Sequence, residues 1–126
     1  MSNLFTRLAG LGLAATLLLS ACEKDEDRVV LQPSGNVALT SSVSSVVLAQ
    51  TDAAKPAVTY SWNPASFGFQ SATSYTLQFD RKGGNFSKPV EIPAGPATSL
   101  TLTVAELNNQ LLKLKLAPGS AGQVDV

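Results

Sequence analysis

The side chain with the most distinctive chemistry in this 126-residue chain is its single cysteine, Cys22. It stands between the apolar Leu17-Leu18-Leu19-Ser20-Ala21 and the charged Glu23-Lys24-Asp25-Glu26-Asp27. A lone free cysteine is ordinarily a small buried hydrophobe, and a residue set against a run of carboxylates has no such place. With one cysteine and no histidine in the chain, disulfides, Cys/His zinc sites and nucleophilic mechanisms with a histidine base are excluded. What is left for Cys22 is a thiol that accepts a covalent group.

The residues upstream say which group. Met1–Arg7 is short and carries one positive charge, and Leu8–Leu19 is apolar apart from glycine and Thr16. That is a secretory h-region, too short for the roughly 20 residues that span a bilayer. Leu19-Ser20-Ala21-Cys22 resembles the bacterial lipoprotein lipobox. The resemblance implies a diacylglyceryl thioether on the Cys22 sulfur, cleavage before Cys22, and a further acyl chain on the amine so freed. Small residues at 20 and 21 leave the peptidase access to the backbone. Several chains anchor durably where one, at about 0.8 kcal/mol per buried CH2, holds only marginally.

Behind the anchor, the run Glu23–Asp27 cannot pack and reads as a solvated tether. Lys24, Asp25, Glu26 and Asp27 also look like the export signal that sends lipoproteins of glycan-utilising bacteria to the outer face of the outer membrane. Surface display and a plain periplasm-facing spacer are the two readings of this run.

Taken together, these signals divide the chain into a signal peptide at 1–21, a lipidated acidic tether at 22–35 and a folded domain at 36–126. The formal net charge is zero, so nothing points to nucleic acid or to a polybasic membrane surface. The folded part reads as β-rich. Ser45–Gln50 is a β-branched run. Ala57–Asn63 alternates, with Val58, Tyr60 and Trp62 on one face, and Ser74–Asp80 alternates with Tyr75, Leu77 and Phe79 facing in. Gly83-Gly84-Asn85 makes a turn. Phe86–Ile92 and Thr98–Thr103 are further strand candidates, separated by Pro93, Gly95 and Pro96.

One segment departs from this alternation. Thr103-Val104-Ala105-Glu106 fits a capping box, and Leu107, Leu111 and Leu114 follow at helical spacing until Pro118-Gly119. Gln123–Val126 starts another alternating run, expected to pair with the Ser74–Asp80 strand. The sequence thus predicts an all-β sandwich with one short helix, its last strands lying beyond residue 126.

Trp62 ahead of Asn63-Pro64, with Tyr75 and Phe79 one strand later, resembles an immunoglobulin or fibronectin III-like β-sandwich whose core is filled by the tryptophan. More specifically, SWNPASFGFQSATSYTLQFDRKGGNF and TLTVAELNNQLLKLKLAPGSAG, behind a lipobox and acidic tether, resemble the N-terminal domain of SusE-type outer-membrane lipoproteins. These are accessory starch-binding proteins of glycan-uptake complexes. The resemblance implies a scaffold and no enzyme, anchored in the outer membrane beside a TonB-dependent transporter and companion glycan-binding lipoproteins. Polysaccharide would be bound through further domains, and no cofactor or metal is implied.

No sugar-binding residue carries over by position. Trp62, Tyr60 and Tyr75 lie on apolar strand faces and read as core. Phe67 and Phe69, on a loop, are the residues left for glycan contact. Asp80–Asn85 is too short for a calcium loop of the twelve-residue type, and Asn85-Phe86-Ser87 matches a glycosylation sequon by chance. Two other classes stay open on the same domain: an adhesion or cell-wall interaction module, and the tether domain of a surface glycoside hydrolase.

Overall fold

The computed structural model describes residues 35–126. Cys22 and Lys24–Asp27 lie outside the described residues. Among these residues six strands and one α-helix follow in the order β1 (Leu39–Ser41), β2 (Pro56–Trp62), β3 (Tyr75–Arg81), β4 (Val90–Gly95), β5 (Ser99–Thr103), α1 (Val104–Lys113) and β6 (Val124–Asp125). They make two antiparallel three-stranded sheets, ordered β1-β2-β5 and β4-β3-β6.

Both sheets turn their apolar positions to one core. In β2 the buried residues are Val58, Tyr60 and Trp62, and in β3 they include Leu77 and Phe79, every second residue as a half-buried strand demands. Leu102 joins them from β5, and Leu107 and Leu114 from the helix and its end. Phe79 is completely enclosed. Each such side chain contributes about 1.5–3 kcal/mol by leaving water.

The helix begins as its sequence predicts. Thr103 Oγ1 accepts from the Glu106 N–H at 3.3 Å, and the Glu106 carboxylate accepts from the Thr103 N–H at 2.8 Å, which closes a capping box. These bonds, the backbone one foremost, hold the Glu106 carboxyl below its ordinary value. The helix ends in a Schellman motif. The Leu116 N–H reaches the Leu111 carbonyl at 3.1 Å and the Lys115 N–H reaches Leu112 at 2.8 Å. Lys115 takes the left-handed position at φ 59°, where glycine is usual. Arg81 covers the carbonyls left over. Its Nε donates to the Leu114 carbonyl at 2.6 Å and its Nη2 to that of Lys115, which places a cation at the negative end of the helix.

Three expectations are corrected. Ser45–Gln50 forms no strand. The chain from Val43 to Ala49 has no ladder partner among the described residues and ends in a 3-10 turn at Gln50–Asp52, because β propensity is realised only against a neighbouring strand. Phe86 sits in the turn at φ 51°, and the strand starts later, at Val90. Pro93 lies inside β4 and Gly95 is its last residue, so the strand runs past the expected break at Pro93. Pro93 is tolerated because β4 is an edge strand.

At the start of the domain the Asn63 side chain stands in for a strand. Its Oδ1 accepts from the Ala38 N–H at 2.5 Å and its Nδ2 donates to the Asn36 carbonyl at 2.9 Å. These two bonds continue the β1–β2 ladder one pair beyond Leu39 and Trp62.

Candidate functional site

A sugar-binding surface needs accessible aromatic faces beside hydrogen-bonding side chains. The structure encloses most of the aromatic area instead. Tyr60 and Trp62 are each only 7% exposed. Burial pushes the Tyr60 phenol above its ordinary pKa. Tyr75 is half-buried, with its ring 5.6 Å from that of Trp62 and tilted by 59°. The core reading of these three residues agrees with their placement.

The Phe67–Phe69 loop divides its two aromatics. Tyr75 holds the loop's start, its hydroxyl accepting from the Ala65 N–H at 2.9 Å. The chain reverses at Gly68, φ 81°, a conformation glycine adopts without strain. On one side of the turn Phe67 is half-buried; on the other Phe69 is 40% exposed. Of the two candidate glycan contacts, Phe69 is therefore the accessible one.

The turn after β3 is organised by two carboxylates paired across strands, Asp80 opposite Asp125. Asp125 accepts from the Gly83 N–H at 3.0 Å and from Lys82 Nζ at 3.1 Å. The backbone bond first, and then Lys82, hold its carboxyl below the ordinary value. Asp80 is buried, with Oδ1 accepting from the Arg81 N–H at 2.7 Å and Oδ2 unpartnered among the described residues. Gly84 lies against it so closely that a Cβ there would fall 2.3 Å from Oδ2. Among the described residues no group of three or more His, Cys, Asp or Glu side chains converges as a metal site.

A feature the sequence reading did not single out is a mostly apolar groove of about 230 Å3 lined by residues of β1, β2 and β3. Val37, Leu39, Trp62, Tyr75, Leu77 and Phe86 are among the residues that line it. Its one trace in the sequence is the short alternation Val37-Ala38-Leu39-Thr40 at the start of the 36–126 domain.

Residues 24–126 match the family model described as SusE outer membrane protein. The chain belongs to that SusE family. Membership places it at the outer membrane. No curated protein and no solved structure matches the chain. Among the described residues no helix is long and apolar enough to cross a membrane, so the SusE domain itself supplies no helical span there.

Proposed function

We propose that this SusE domain is a spacer and scaffold. In this reading it is tied to the outer membrane through lipid on Cys22, displayed at the cell surface through Lys24–Asp27, and belongs to an accessory starch- or glycan-binding protein of a polysaccharide-uptake complex. It stands beside a TonB-dependent transporter, and other domains of the same receptor hold the polysaccharide. It carries out no catalysis.

The observation that carries this reading is the enclosure of Tyr60 and Trp62 at 7% exposure each, because a ring packed on both faces has none to offer a sugar. The sheet orders β1-β2-β5 and β4-β3-β6, with Trp62 and Phe79 between them, support an immunoglobulin or fibronectin III-like sandwich. That fold suits a rigid spacer.

Affinity electrophoresis of the full chain in gels containing starch or other neutral polysaccharides tests the proposal. Mobility is expected to be unchanged. Retardation that disappears in a Phe67→Ala, Phe69→Ala variant would move glycan recognition onto the loop and overturn the spacer reading.

A further inference from the structure

One bond at the end of β2 fixes how β5 is used. The Trp62 N–H donates to the Thr98 carbonyl at 2.9 Å. In an antiparallel ladder alternate residues turn their main-chain groups to the same neighbour. Leu100 and Leu102, opposite Tyr60 and Val58, therefore bond β2, and Ser99, Thr101 and Thr103 turn theirs to the opposite edge. No strand pairs with that edge among the described residues. The Thr103 N–H is taken by the Glu106 carboxylate at 2.8 Å, so the helix cap closes one end. The N–H and C=O groups of Ser99 and Thr101 remain open there.

Two other edge strands, β1 and β4, are blunted, and β5 is not. β4 carries Glu91 and Pro93, and β1 is only three residues long, both ordinary ways of discouraging a further strand. β5, Ser-Leu-Thr-Leu-Thr, has neither charge nor proline. Its Ser99 and Thr101 side chains are exposed and Leu100 is half-buried. The covered side of the strand shows what β5 accepts as a partner. There Thr101 Oγ1 lies 2.8 Å from Thr59 Oγ1, Ser99 stands opposite Ser61, and Leu100 opposite Tyr60. Hydroxyl is matched with hydroxyl and apolar with apolar.

We propose that the open edge of β5 is a self-association surface, and that its occupant is β5 of a second copy of this chain, antiparallel and related by a two-fold axis at Leu100. In that register Ser99 faces Thr101 of the second copy, and Thr101 faces its Ser99. Each of these pairs exchanges two main-chain bonds, so the open groups of both residues are all used. Leu100 meets Leu100 as a non-hydrogen-bonded pair, the closer kind, on the core side. The hydroxyls meet on the outer face, as those of Thr59 and Thr101 do within one chain. Thr103 comes opposite Ala97, a small side chain. A two-fold axis brings like residues together, and a strand without charge meets no repulsion in doing so. The two β1-β2-β5 sheets then continue as one. This goes beyond the spacer reading, because it makes the domain a coupler between two copies of the protein.

Amide hydrogen exchange of the full chain in neutral detergent, followed as protein concentration is raised, tests this. Exchange at Ser99 and Thr101 is expected to slow by roughly tenfold or more, while Leu100 and Leu102, already bonded to β2, keep their rates. Thr101→Pro removes an N–H that a single chain does not use, so it should abolish the protection at Ser99 and leave Leu102 slow. If Leu102 becomes fast in that variant, Thr101→Lys takes its place. Protection at Ser99 should then be lost at low salt and regained at high salt. The proposal falls if protection at Ser99 survives these substitutions, or if Ser99 and Thr101 exchange fast at every concentration. It also falls if both are slow at every concentration, since another segment would then cover the edge. Val47, 89% exposed and outside the strands, supplies the control. Loss of protection in Val47→Lys as complete as in the β5 variants would place the association on apolar surface and overturn the strand pairing.

Discussion

Tyr60 of β2 and Phe79 of β3 meet edge to face across the two sheets, their ring centroids 5.6 Å apart and their planes at 81°. Such a contact adds about 0.5–1.5 kcal/mol to the burial of the rings. It is also the point at which the sheets are keyed to one another, since Phe79 is the most deeply buried side chain described.

Beside that pair, Trp62 closes the core towards Tyr75. Trp62→Ala is expected to cost about 3–5 kcal/mol, the range for emptying a large aromatic site. Denaturant unfolding checks this, and a loss comparable with a surface substitution would place the ring outside the core.

Gly84→Ala should destabilise although the Gly84 backbone is not in the left-handed region. The new methyl collides with the Asp80 carboxylate, which is buried and held through Oδ1. A cost of about 1–3 kcal/mol is expected from the overpacking. Truncating the obstacle, with Asp80→Ala added to Gly84→Ala, should make the glycine substitution cheaper than it is alone. An equal penalty in both backgrounds would show that the clash is not its source.

Lys115→Gly should act in the opposite direction. Lys115 is left-handed at φ 59°, a conformation that costs a side chain with a Cβ more than it costs glycine. After allowance for the entropy glycine adds to the unfolded chain, thermal melting should show a gain of about 0.5–1 kcal/mol.

Two carboxyls contribute to the acid limb of stability. Both Glu106 and Asp125 are held below their ordinary values of 4.5 and 3.8, each through a backbone N–H first. A depressed folded pKa contributes stability that is fully present above the ordinary value and is lost as pH falls through the folded one. Tm should therefore decline as pH is lowered below about 4.5. The decline should be shallower in a Glu106→Gln, Asp125→Asn double variant, and an unchanged slope would mean that other groups govern the acid limb.

Cys22 is expected to be the first residue of the mature protein. Mass spectrometry of the purified chain should find an acylated N-terminus there, and Cys22→Ser should release the protein from the membrane fraction. An uncleaved Met1, or a serine variant still held by the membrane, would contradict the lipid anchor.

Much of the core was legible because β2 and β3 declare it by strict alternation, Val58-Tyr60-Trp62 and Tyr75-Leu77-Phe79. The helix was legible through Thr103 and Glu106, whose reciprocal bonds are local and need no tertiary partner. What escaped depends on neighbours. Val46 and Val47 have strand composition but lie exposed without a ladder among the described residues, and whether such a run pairs is decided elsewhere in the chain. Pro93 looked like a breaker, yet it is harmless at the edge of a sheet. Likewise, the two phenylalanines of the loop differ in exposure because Gly68 turns between them, and their types alone could not separate them. The groove beside Trp62 left only the Val37-Ala38-Leu39-Thr40 alternation as its trace, being made of residues distant in sequence.

The Asn63 clasp gives the domain a mechanical character. A pull transmitted from the residues ahead of Gly35 arrives first at Asn36 and Ala38, both held by the one Asn63 side chain, and only then at the three pairs joining β1 to β2. A second pull, applied at Val126, enters through the other sheet. Tension between the two ends therefore cannot travel along a single ladder. It crosses the interior through Tyr60, Trp62 and Phe79, so stretching is expected to load the packed centre, with the Asn63 bonds first in line from the N-terminal side.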